Sequence, residues 1–123
     1  AKPVLEKIIS KERKSVDLVV VLAHSLDEEI VNLARQVKGI DVIVSGHVTQ
    51  IISDPVKIEN TLIVQAGMNG EFVGIDIIYF DKSKKVSNNL HELIPISSDL
   101  PDDPEIEKLV SDYKRESSAG VSK

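Results

Sequence analysis

Two short apolar runs, Leu18-Val19-Val20-Val21-Leu22 and Ile40-Asp41-Val42-Ile43-Val44, flank one amphipathic stretch, and few folds accommodate that arrangement. Between them, from Ser25 to Lys38, Ile30, Leu33, Ala34 and Val37 recur at helical spacing, and Gly39 sits just past the end. Continuous β-branched runs on either side of a single helix read as a βαβ unit whose strands are parallel and buried on both faces. The fold class that follows is α/β. Each run stops at small residues and a histidine: Ala23-His24-Ser25 after the first, Ser45-Gly46-His47 after the second. In a βαβ unit both strands point the same way, so His24 and His47 are expected at one carboxyl edge of the sheet. Ligands bind at that edge in open α/β sheets. The two imidazoles are therefore the first candidates for chemistry.

The flanking residues fill in the unit. Ser25 as N-cap with Glu28 three positions on would make a capping box. Asp27, Glu28 and Glu29 place negative charge where the helix dipole favours it. Upstream, Pro3 suits the first turn of a helix. Val4, Leu5, Ile8 and Ile9 mark one face of that helix, with Lys7, Lys11, Glu12, Arg13 and Lys14 on the other. Asp17 and Asp41 stand at strand starts, at the opposite end from the histidines, and read as structural.

After His47 the periodicity changes. Ile51-Ile52, Val56-Lys57-Ile58 and Thr61 to Ala66 are strand-like pieces broken at Asp54-Pro55 and Glu59-Asn60. Gly67, Asn69 and Gly70 form a loop tolerant of positive φ. Phe72 to Phe80 and Val86 to Ile96 predict an antiparallel hairpin around Asp81-Lys82-Ser83-Lys84-Lys85. Asn88, Asn89, His91 and Glu92 interrupt its second strand, and His91, with no partner pattern, reads as solvated. Asp102-Asp103-Pro104-Glu105 is a helix start, and with Asp99 this acidic cluster reads as a cap and not a cation site. Ile106, Leu109, Val110 and Tyr113 give that helix one apolar stripe, and from Glu116 to Lys123 the lack of pattern predicts a tail that is loose or leads elsewhere.

Composition narrows the classes. With 123 residues, one domain with a real core is expected. A net charge of −5 and no basic stripe count against nucleic-acid binding. No stretch approaches the ~18 apolar residues of a membrane span. The absence of cysteine excludes disulfides and thiolate metal sites and leaves the compartment open. No glycine-rich phosphate loop follows either apolar run, which weakens a simple nucleotide-binding domain. The first residues lack a charged region followed by a long apolar one, so no signal peptide is expected there. A start at Ala1, directly on a helical pattern, is what a processed protein or an excised fragment shows, and a fragment is the expectation.

The order of motifs also resembles a family. Asp17-Leu-Val-Val-Val-Leu-Ala-His24-Ser25, Gly39-Ile-Asp-Val-Ile-Val-Ser-Gly46-His47, Thr61-Leu-Ile-Val-Gln-Ala-Gly67 and Val73-Gly74-Ile75 occur in the order and spacing of the 5′-nucleotidase branch of the calcineurin-like metallophosphoesterases. The resemblance covers nearly the whole chain. It implies that residues 1–100 are the C-terminal portion of a metallophosphoesterase-type α/β sandwich, and 101–123 a helix and the start of an interdomain linker. It implies a two-metal phosphoester hydrolase acting on a nucleotide or another phosphoester, with His24 and His47 as metal ligands and Asn69-Gly70 resembling the substrate-side loop. A plain turn is an equal reading of Asn69-Gly70. Two divalent ions of the zinc, manganese or iron class, roughly 3.5–4 Å apart, clamp a phosphoryl group and activate water in such sites. Members of the family are often periplasmic or extracellular.

Two departures qualify this. The family's GHxH pattern is Gly46-His47-Val48-Thr49 here, so threonine stands at one ligand position, with the amide of Gln50 beside it. The family's remaining ligands and its catalytic histidine lie ahead of the strand that begins near Asp17, where this chain has neither histidine nor asparagine. The chain alone is therefore expected to hold metal weakly or not at all and to turn over little substrate. The rival reading is a truncated or degenerate non-catalytic module that pairs with a missing N-terminal half or with itself. An exposed sheet edge would drive that pairing.

Overall fold

The computed structural model describes residues 2–47 and 53–120. Helix α1 (Lys2–Glu12) leads into strand β1 (Val20–His24), helix α2 (Asp27–Gln36) and strand β2 (Val42–Gly46). Strands β3 (Val56–Ile58), β4 (Thr61–Val64), β5 (Phe72–Phe80) and β6 (Val86–Pro95) follow, and helix α3 (Pro104–Gly120) closes the order. β1, β2, β4 and β3 form one sheet in that order, and β5 and β6 form a second. β1–β2 and β2–β4 pair in parallel, whereas β3–β4 and β5–β6 are antiparallel. The α/β class, the parallel βαβ unit, the hairpin and the C-terminal helix are those expected from the sequence.

The sheet is covered unequally. On one face Ile43 and Ile63 pack with Ile30, Ala34 and Val37 from the α2 region, Ile40, and Ile9 of α1. On the other face Val42, Leu62 and Val64 meet Ile78 of the hairpin. That cover stops before β1: Val20 and Val44 are exposed and Leu22 is 81 % exposed. The expectation of two strands buried on both faces therefore holds for the first half of β2, fails at its Val44, and fails for β1. Among the described residues β1 is an edge strand, and the hairpin does not reach it.

Asp41 sets how the strands meet. Its side chain is 9 % exposed. One carboxylate oxygen accepts from Arg13 Nη2 at 3.0 Å, and the other accepts from Arg13 Nη1 and from the Val19 backbone N–H, the latter at 2.8 Å. Its own N–H donates to Val19 O at 3.1 Å, and its carbonyl accepts from Leu62 N at 2.8 Å. One residue thus joins the segment after α1, the entry to β1 and the start of β4. A second tether is looser: Lys84, at the hairpin tip, donates to the Asp17 carboxylate. The Lys84 hydrogen bond and charge hold the Asp17 carboxyl below its usual range. That contribution is present at neutral pH and is lost as the pH falls through the lowered pKa.

Several local expectations are corrected. Ser25 does not cap α2: the N-cap is Leu26, without a side-chain bond, and Ser25 Oγ donates instead to Glu29. The side chain at 25 lies one residue too early to reach the first free N–H groups. On α1 only Ile9 is buried, while Val4 and Ile8 face outward, because β1 is itself a sheet edge there. The end of the chain is not loose through residue 120, since α3 runs to Gly120. Ser111 and Ser118 return their hydroxyls to Glu107 O (2.9 Å) and Lys114 O (2.8 Å), and Asp112 pairs with Lys108 and Arg115. The ion pairs of Asp112 support a helix without a packed face, while the serine hydroxyls bonded to the preceding turn do not add to its stability. The start of α3 is as expected, with Asp103 Oδ1 accepting from the N–H groups of Glu105 (2.9 Å) and Ile106 (3.2 Å).

Replacing Asp41 by Ala removes these charge-assisted bonds and strands the Val19 N–H, at an expected cost of about 3 kcal/mol. Urea unfolding measures it. A loss below about 1 kcal/mol would place the clamp outside the stabilising contacts.

Candidate functional site

The parallel register Val20 opposite Val42 runs through to His24 opposite Gly46. His24 is therefore the last residue of β1 and lies on the same side as Leu22 and Val20, the uncovered side of the sheet. Gly46 lies directly beside this ring: a Cβ at that position would stand 3.4 Å from His24 Nδ1, in van der Waals contact. His47 follows with φ of +64°, a left-handed conformation unusual for a side-chain-bearing residue. The turn brings its ring against that of His24, with centroids 4.7 Å apart and planes inclined by 56°. Both residues are exposed. The two imidazoles that the sequence places at one sheet edge are thus adjacent in space.

Imidazole nitrogen is a donor that zinc, manganese and iron accept, and a pair on neighbouring strand ends is held by the sheet itself. The donor chemistry fits part of a metal-binding set. Among the described residues no group of three or more His, Cys, Asp or Glu side chains is placed to hold an ion, so the pair stands without a carboxylate. An open groove of about 710 Å³ runs along the free side of β1, lined by Val4 and Leu5 of α1, Leu22, His24, and Glu29 and Leu33 of α2. The histidines sit at the rim of this unfinished surface.

The other candidates fall elsewhere. Thr49 and Gln50 lie outside the described residues. Asn69 (φ +57°) and Gly70 (φ +72°) are the two central residues of a tight turn closed by Glu71 N donating to Met68 O at 3.1 Å. Two successive positive φ values are the demand of a type I′ turn, which Asn-Gly meets. His91 is not solvated. Its side chain is 5 % exposed and its Nδ1 lies 2.8 Å from Asp76 Oδ1, its cross-strand partner. A charge-complementary pair in hairpin register was the available signal, and the broken alternation obscured it.

No family model matches the chain. The trifunctional nucleotide phosphoesterase protein YfkN of Bacillus subtilis is 31% identical over 116 residues, which are 89% of this chain and 8% of that protein. The sulfate thiohydrolase SoxB of Thermus thermophilus superposes with a TM-score of 0.81 at 24% identity, over 89% of this chain and 20% of that one. A 5′-nucleotidase precursor, also from Thermus thermophilus, gives 0.80 at 24% identity, over 96% and 27%. At that identity the two structures speak for a shared fold. The chain spans less than a tenth of the curated relative it matches and about a quarter or less of these two structures.

A left-handed residue carrying a Cβ costs about 1–2 kcal/mol, and glycine escapes it. His47→Gly is therefore expected to be more stable than His47→Ala by about 1 kcal/mol in urea or thermal unfolding. Equal stabilities would show that the backbone at 47 is not held left-handed.

Proposed function

Since the chain belongs to the 5′-nucleotidase-type metallophosphoesterases, we propose that His24 and His47 are two ligands of a divalent-metal site in a nucleotide phosphoesterase. The observation that carries this reading is the 4.7 Å approach of the two rings on adjoining parallel strand ends. A divalent ion there supplies Lewis-acid polarisation of a phosphoryl oxygen and neutralises charge on the transferring group. The chain's part is to present two ring nitrogens from adjoining strand ends.

The donors still needed to complete the coordination come from the polypeptide that covers β1. Three features support this. The rings open towards the uncovered face formed by Val20, Leu22 and Val44. The free edge of β1 offers unpaired backbone groups beside an apolar groove, which suits an added strand. The relatives extend well beyond the matched segment. In this scheme residues 1–100 belong to the metal-binding domain and 101–123 lead out of it, with α3 exposing Ile106, Leu109 and Tyr113 to a neighbouring domain.

The test is hydrolysis of a nucleoside 5′-monophosphate by the complete gene product with Mn²⁺ or Zn²⁺. His24→Ala and His47→Ala are each expected to lower kcat/KM by about 100-fold or more, because outer-shell changes at metal sites already cost about 10–100-fold. Chelation should abolish turnover and added metal restore it. Undiminished activity in the double variant would remove the pair from the reaction.

A further inference from the structure

Between α2, the sheet and the hairpin lies a partly open cavity of about 40 Å³, lined by Ser45, His91, Gln65, Ile30, Val31 and Ile63 among others. His91 belongs to the hairpin and Ser45 to β2, two residues before His47 and opposite Ala23 in the register. The Asp76 carboxylate only accepts, so the 2.8 Å contact places the His91 proton on Nδ1. In the neutral ring Nε2 is then a bare acceptor. It is buried and has no hydrogen-bond partner among the described residues, and the same holds for Ser45 Oγ. A dry acceptor and a dry hydroxyl would each cost about 1–3 kcal/mol. The cavity exceeds the roughly 10–15 Å³ that one water requires.

We propose that this cavity is a built water site in which His91 Nε2 and Ser45 Oγ hold a common water, and that the chain Asp76–His91–water–Ser45 makes His91 a positioning residue for His47. The water accepts from Ser45 or donates to it, and donates its other proton to Nε2. The hairpin is thereby fastened to the end of β2, where the backbone turns left-handed into His47. The positioning role rests on the metal reading of His47; the water site stands apart from it.

Long-range ¹H–¹⁵N spectra of the folded chain read both. His91 is expected as the Nδ1–H tautomer, with a water exchange contact at its ring. In Asp76→Asn, where the amide can donate to Nδ1, the Nε2–H tautomer becomes a major form. In Ser45→Ala the tautomer stays and the water contact is lost, whereas Ser45→Thr keeps it. In the complete gene product, which supplies the remaining donors, Zn²⁺ titration of the His24 and His47 rings is expected to weaken about 10-fold in Ser45→Ala and Asp76→Asn, and to recover in Ser45→Thr. An Nε2–H tautomer in the wild type, or a ring without water contact, would overturn the water site. Equal Zn²⁺ affinities in all four proteins would overturn the positioning role. Wild-type rings that ignore Zn²⁺ would instead overturn the metal reading, and the positioning role with it, while the tautomer and water contact still decide the site itself.

Discussion

The buried carboxylate of Asp41 is the constraint from which the geometry of the histidine pair descends. A parallel pair of strands has no hairpin to set its register, so some long-range contact must do so. Asp41 does it by clamping the Val19 N–H at the entry to β1 while Arg13 neutralises its charge. Once Val20 faces Val42, the alternation of the pleat carries the phase forward to His24 facing Gly46. A slip of one residue would turn His24 to the α2 face and part it from His47. The anchor at one end of the strands thus governs the chemistry at the other.

That chain of causes explains why the pair was legible in the sequence. The β-branched runs, the helical spacing of Ile30, Leu33, Ala34 and Val37, and the shared position of His24 and His47 after small residues all depend on local pattern. What was not legible depends on neighbours. The run Val20 to Leu22 looks like a buried strand, yet Leu22 is 81 % exposed, because hydropathy records what a strand is built to meet and not whether this chain supplies it. His91 sits in a segment whose alternation fails, and its burial follows from the Asp76 partner across the hairpin. Ser25 shows the opposite error: a good capping signature placed one residue too early, so that Leu26 takes the cap position. The tail beyond Glu116 lacks any apolar period, yet the backbone of α3 continues helical to Gly120.

The exposed surface has a consistent organisation. Val20, Leu22 and Val44 form an apolar strip that ends at the exposed rings of His24 and His47, along a strand edge bordered by a groove. A polar site at the rim of an apolar contact surface is the arrangement of a centre shared between two parts of a domain, where packing on the strip brings further side chains to the rim. The strained backbone at His47 suits such a centre, since conformations of this kind persist where surrounding structure holds them and cluster at sites of function.

The central claim, that these two rings hold one ion between them, is tested most directly by anomalous diffraction at the zinc edge from crystals of the complete gene product. The account predicts one anomalous peak that lies about 2.0–2.1 Å from a nitrogen of each ring. A fully occupied metal centre that includes neither His24 nor His47, or rings directed away from each other, would contradict it.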